Sequence, residues 1–181
     1  MSPLPADTPP IIERKVWLPT PYTFGHAMPP GPAGEWLAHH TIVPDLSARA
    51  TLEDEARAML NVHRYHERQK YGGFSYQWAI FDSGRIWEGR GWGRTGAHTK
   101  GRNSKSIGFV FFINGDKRSP SAKAWKAAQW LIAVGEVSGN VARGASLGGH
   151  RRYAKKSCPG AVVTDEQLRY TRVAVDNAYR R

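Results

Sequence analysis

The apolar positions of this chain change period several times along its length, and each period predicts an element. A two-residue alternation over Trp36–Val43 predicts a strand entering the core, and it sends the adjacent His39 and His40 to opposite faces. Thr51, followed by Glu53, Asp54 and Glu55, marks a helix start. Leu52, Ala56, Met59, Leu60 and His63 then continue at helical spacing towards Lys70. Gly72-Gly73 ends that helix before a strand over Ser75–Phe81, whose alternation places Tyr76, Trp78 and Ile80 together. The turn Asp82-Ser83-Gly84 leads back into Arg85–Glu88, so a β-hairpin is predicted. Gly89–Gly101 reads as a long loop, and Ser106–Ile113 is a nearly unbroken apolar run suited to a central strand covered on both faces. A second helix is predicted with Pro120 in its first turn, an apolar face of Trp125, Ala128, Leu131, Ile132 and Val137, and a stop at Gly139-Asn140. After a loop, Thr164 and Gln167 form a capping-box pattern. Leu168, Thr171, Val175, Ala178 and Tyr179 then recur at helical spacing almost to Arg181.

That order of elements predicts a single-domain α/β architecture, a central mixed β-sheet packed by helices, with no internal repeat. Its strand order does not follow from the sequence. The 181 residues, 40% of them hydrophobic, can bury one substantial core but hardly two. Nine of the twelve prolines fall within residues 1–32. This segment is expected to run as an extended arm over the surface, with at most one short strand near Val16–Leu18, ahead of a domain at residues 33–181. No run of eighteen apolar residues exists, and the first residues lack the basic start and apolar stretch of a secretory signal, so synthesis in a cytoplasm without membrane insertion is expected.

The formal net charge of +11 favours an anionic partner: nucleic acid, an acidic wall polymer or a phospholipid surface. The basic residues are spread through loops, from Arg85 to Lys105 and again from Arg151 to Lys156, which fits a charged groove or simply a solvated surface. The single cysteine cannot form an internal disulfide. It is either an inert buried thiol or, near histidine, a metal ligand or nucleophile. His39, His150 and Cys158 together supply two imidazoles and a thiolate, an open three-ligand set of the kind that lets zinc activate water for hydrolysis, with Lys156 two residues before the cysteine. Strand alternation lets only one of His39 and His40 face a given metal. His63 and His66 form an i, i+3 pair on one helix, where packing in the core is the more frequent role than a second metal site.

The motifs Trp36-Leu-Ala-His-His-Thr41, Tyr76-Gln-Trp78, Trp87-Glu-Gly-Arg-Gly-Trp92, Gly96-Ala-His-Thr-Lys-Gly101 with Asn103, Ser106-Ile-Gly108 and His150…Lys156-Ser-Cys-Pro-Gly160 stand in the order found in a known family. Over roughly residues 33–181 the chain resembles the zinc-dependent N-acetylmuramoyl-L-alanine amidases, which include phage lysozyme-type amidases and animal peptidoglycan-recognition proteins. The resemblance implies zinc as cofactor, held by His39, His150 and Cys158, with His40 facing away. It implies hydrolysis of the amide between the lactyl group of N-acetylmuramic acid and L-alanine of the stem peptide. Tyr76 would orient the attacking water or assist proton transfer, and Lys156 would stabilise the developing oxyanion. His66, Trp92, Arg94, His98 and Asn103 would contact the substrate. Some relatives use a glutamate where Val110 stands here, so that variant is excluded. Lysine at position 156, where the animal recognition proteins usually carry threonine, inclines the chain towards a phage endolysin or bacterial lytic enzyme. It would act on the bacterial cell wall as a monomer, with peptidoglycan as partner and no nucleic acid. The alternative is a module that recognises peptidoglycan without cutting it. A nucleic-acid binder, suggested by charge and seven tryptophans, lacks a helix-turn-helix, paired zinc-finger cysteines or an RNA-recognition strand signature.

Overall fold

The structure, a computed structural model, describes residues 8–179. Three helices begin at side-chain caps. At α1, Leu52–Arg68, the Thr51 hydroxyl accepts from the Asp54 backbone N–H at 3.1 Å while the Asp54 carboxylate accepts from the Thr51 N–H at 3.0 Å, closing a reciprocal box. At α2, Ala122–Val137, the Ser121 hydroxyl accepts from Ala124 N–H, and Pro120 lies one residue before the cap instead of in the first turn. Gly139, with φ +75°, provides the left-handed stop. At α3, Asp165–Tyr179, Thr164 and Gln167 make the second reciprocal box. The first seven residues of the expected arm and the last two residues of the chain lie outside the described residues.

Six strands form one mixed sheet: β1 (Ile11–Ile12), β2 (Ala33–His40), β3 (Trp78–Ile80), β4 (Ile86–Glu88), β5 (Ser106–Phe111) and β6 (Val141–Gly149), in the order β1-β4-β3-β5-β2-β6. Only the β3–β4 hairpin is antiparallel. β5 lies inside, parallel to both β2 and β3, which explains its unbroken apolar run. The period of two divides the side chains cleanly. Trp36, Ala38, Phe109, Phe111, Trp78 and Ile80 pack towards α2 and α3, while Ala79, Val110 and Phe112 pack with Ala58, Met59 and Val62 of α1. Each such fully buried large side chain contributes roughly 1.5–3 kcal/mol of transfer free energy.

Three further expectations change. The chain at residues 14–16 is a single 3-10 turn, not a strand, and the short strand lies earlier, at Ile11–Ile12 beside Ile86 and Trp87. The ladder expected over Ser75–Phe81 is confined to Trp78–Ile80, and Tyr76 faces α1, opposite to Trp78 and Ile80. The change of face coincides with Gln77, whose backbone N–H donates to the Gly108 carbonyl while its carboxamide, instead of its carbonyl, accepts from Gly108 N–H and also donates to the Arg94 carbonyl, an interruption of the ladder just before β3. Finally, the segment read as a loop after α2 is the nine-residue strand β6, paired parallel to β2. Within residues 8–32, Trp17 and Phe24 are buried against α1 and Phe74, and the Trp17 indole donates to the Glu88 carbonyl at 2.8 Å. Among the described residues no helix is long and apolar enough to cross a membrane.

Candidate metal centre

The parallel strands β2 and β6 deliver two histidines to one end of the sheet, the carboxyl end, where open α/β sheets leave room for ligands. His39 stands near the end of β2 on the α1 face, with Val110 of β5 as its register partner. β6 runs into a single 3-10 turn that begins with His150. The following loop returns Cys158 to them. Arg151 clamps that loop, its N–H donating to the Cys158 carbonyl at 2.8 Å and its guanidinium to the carbonyls of Gly160 and Val163. Asp116 holds the far side through Ala161 N–H and the Ser157 hydroxyl. Gly160 cannot be replaced here: its φ is +114°, and a Cβ would fall 2.0 Å from the Gly115 carbonyl carbon.

One donor atom each from His39, His150 and Cys158 lies within 4.8 Å of the others. The Cys158 Sγ is 3.6 Å from His39 Nδ1. A metal bonded at about 2.1 Å to nitrogen and 2.3 Å to sulfur at a tetrahedral angle separates its donors by about 3.6 Å, so the residues present fit zinc. Their electrostatics agree. Burial holds His39 well below the usual imidazole pKa, with His98 adding to the effect, and burial followed by the Lys156 charge lowers that of His150, so both rings offer a lone pair. Burial pushes the Cys158 thiol up to about 11, so a thiolate here calls for the positive charge a dication brings.

Tyr76 is half-buried beside the cluster, its ring 5.0 Å from that of His39, and burial raises its phenol far above the ordinary value. It also lines a groove of about 560 Å³ between α1 and the β2–α1 loop, with Thr41, Ile42, Val43, Asn61, Tyr65 and His66 among others, and so joins that groove to the cluster. Ile42, a β-branched residue at φ +67°, is a backbone outlier on its rim. His66 Nδ1 accepts from Ser75 N–H at 3.3 Å, and burial with the nearby Arg90 charge lowers its pKa to about 4. His63 Nδ1 accepts from Phe74 N–H and its ring packs edge-on to Trp17 and Tyr22, so this helix pair performs packing work and does not make a second metal cluster. Lys156 is exposed on the cysteine loop, near enough for its charge to act on His150 and Cys158.

Four residues expected at the substrate do not line this groove. Trp92 packs against Trp36 and Trp78 on the α2 face, because the loop after β4 crosses to the other side of the sheet. Arg94 is exposed beside Trp92 and Tyr22 in a separate hollow, its carbonyl tied to Gln77. Asn103 spends its carboxamide oxygen on the N–H groups of His98 and Thr99, both at 2.9 Å. His98 is buried, with Nδ1 3.1 Å from His39 Nε2. The sequence reading missed Gln77 and Asp116. The turn-like Asn114-Gly115-Asp116 was the only local mark of the latter.

Comparison with known proteins agrees with this geometry. The family described as N-acetylmuramoyl-L-alanine amidase matches residues 36–161, from the strand of His39 through the cysteine loop. The chain belongs to this family. Peptidoglycan-recognition protein 1 of Holotrichia diomphalia is 32% identical over 68% of this chain and 62% of its own length. The N-acetylmuramoyl-L-alanine amidase of Homo sapiens is 30% identical over 87% of this chain but only 27% of its own length. A solved peptidoglycan recognition protein-LE in complex with tracheal cytotoxin, a monomeric diaminopimelic acid-type peptidoglycan, superposes with a TM-score of 0.80 at 26% identity, over 88% of this chain and 92% of that one. The amidase-family chain thus has the expected α/β fold, and its match spans under two thirds of the Holotrichia diomphalia protein and about a quarter of the human one.

Proposed function

We propose that the protein is a zinc-dependent peptidoglycan amidase that hydrolyses the bond between the lactyl group of N-acetylmuramic acid and L-alanine. The observation that carries this reading is the convergence of His39, His150 and Cys158 beside Tyr76, which also lines a mostly apolar groove. Zinc held by these three residues would supply a water activated near neutral pH and a Lewis acid for the scissile carbonyl. The remaining work belongs to the chain. The groove between α1 and the β2–α1 loop receives the stem peptide, and the fold likeness to a recognition protein solved with a peptidoglycan fragment supports that substrate class. The Tyr76 phenol is protonated at neutral pH, as an ordinary phenol is, and burial raises its pKa further, so its hydroxyl can donate to the substrate or pass a proton towards the leaving nitrogen. Lys156 brings a fixed positive charge whose field reaches His150 and Cys158, so it can stabilise the oxyanion that develops at the scissile carbonyl beside them. A lytic role on the bacterial wall, in the manner of a phage endolysin, is the biological setting that Lys156 and the +11 net charge support.

The test incubates zinc-loaded protein, beside Cys158→Ser, with purified peptidoglycan and identifies products by mass spectrometry. Stem peptides beginning with L-alanine, intact glycan strands and an inactive variant are the expected result. Wall binding without release from several peptidoglycan chemotypes would replace catalysis by recognition, the role named for the insect relative.

A further inference from the structure

His98 was expected at the substrate, yet it is 6% exposed and lies behind His39. Its Nδ1 has two neighbours, His39 Nε2 at 3.1 Å and the Thr99 hydroxyl at 3.1 Å, while its Nε2 has no hydrogen-bond partner among the described residues. A buried polar atom without a partner calls for an explanation. The ring is held tightly. A Cβ on Gly96 would come within 2.2 Å of it and one on Gly108 within 2.6 Å, so both positions must lack a side chain for the imidazole to lie flat against β5. Asn103 fixes the backbone beneath it by accepting from the N–H groups of His98 and Thr99.

The protons follow from the metal side. His39 turns Nδ1 towards Cys158, so with a metal there its single ring proton sits on Nε2, which points at His98. A hydrogen bond then requires a lone pair on His98 Nδ1, which places the His98 proton on the unpartnered Nε2. We propose that His98 is a positioning residue that fixes the His39 tautomer and ring orientation for metal binding, held by Asn103 in a slot cleared by Gly96 and Gly108. This rests on the zinc reading above. It turns the Gly96-Ala-His-Thr-Lys-Gly101 motif with Asn103 from a substrate contact into the support of a ligand. Outer partners of this kind typically change metal affinity 10–100-fold.

Two measurements test it. In zinc-loaded wild-type protein with 15N-labelled histidine, long-range 1H–15N correlation spectra should show His39 protonated at Nε2 and His98 protonated at Nε2 with a bare Nδ1. A proton on His98 Nδ1 overturns the assignment. In competition with a chromophoric chelator, His98→Phe should bind zinc 10–100-fold more weakly, and His98→Asn, whose side-chain oxygen can sit near the position of Nδ1, should recover most of the loss. Wild-type affinity in a folded His98→Phe would remove the positioning role while leaving the metal centre intact. Absence of zinc binding by the wild type would instead defeat the zinc reading itself.

Discussion

Replacing Gly108 by alanine should destabilise the protein, although the same change at an unhindered strand position stabilises. With no crowding, Gly→Ala gains about 0.4–1 kcal/mol by restricting the unfolded chain. At Gly108 the new Cβ would lie 2.6 Å from His98 Nε2 and Cδ2 and 2.8 Å from Cε1. Ordinary contact begins near 3.4 Å, so the ring must retreat by about 0.8 Å. It cannot do so freely, since Gly96 closes the slot and the 3.1 Å bond to His39 would open. Overpacking of this kind costs about 1–3 kcal/mol, which outweighs the entropic gain. Gly34 serves as control: it also lies in a strand, and its nearest new neighbour would be the Lys105 carbonyl at 3.9 Å. Urea unfolding followed by tryptophan fluorescence, in EDTA, should therefore show Gly108→Ala less stable than wild type by about 1–2 kcal/mol and Gly34→Ala unchanged or slightly more stable. For a chain of this size that is a fall of about 2–8 °C in Tm. A Gly108→Ala protein as stable as wild type would show that the slot around His98 is not tight, and would weaken the positioning role with it.

Two further outcomes follow from the site. Tyr76→Phe and Lys156→Ala should retain zinc, measured by metal analysis after dialysis, and lose about 10²-fold or more in turnover, the usual scale for a removed acid or oxyanion-stabilising group. Near-normal turnover in either variant removes that residue from the mechanism. The metal-free protein should lose stability as pH falls from 6.5 to about 4, in part through His66. Its folded pKa is depressed, so the unfolded state takes up the proton first and stability is lost through this window, by at most roughly 3 kcal/mol at about 1.4 kcal/mol per pH unit. His66→Gln keeps an acceptor for Ser75 N–H but does not titrate. Its Tm should vary less with pH over that range, and profiles parallel to wild type would contradict the assignment.

The sequence by itself determined the features that depend on near neighbours. Thr51 with Asp54 and Thr164 with Gln167 place two of the helix starts because a cap needs only residues three positions apart. Asp82-Ser83-Gly84 marks the hairpin, and Ser106–Ile113 reads as central because a strand covered on both faces has no polar side. The alternation in β2 separated His39 from His40 without any structure. Strand β6 was illegible because Val-Ala-Arg-Gly-Ala-Ser-Leu-Gly-Gly has weak strand propensity and gains its place from pairing with β2, over a hundred residues away. Tyr76 was assigned to the wrong face because the alternation breaks at Gln77, where a carboxamide interrupts the ladder, a contact no periodicity encodes. The distances among His39, His150 and Cys158 likewise belong to the tertiary structure, since two strands and a clamped loop bring together donors more than a hundred residues apart. So does the fate of the glycine-rich loop: its sequence offers tryptophan, histidine and asparagine alike to a ligand, and only packing sends Trp92 to the α2 face, buries His98 behind His39 and spends Asn103 on the backbone. Local capping and periodicity act over a few residues, whereas which face a loop side chain occupies is settled by the competition for buried space across the whole sheet.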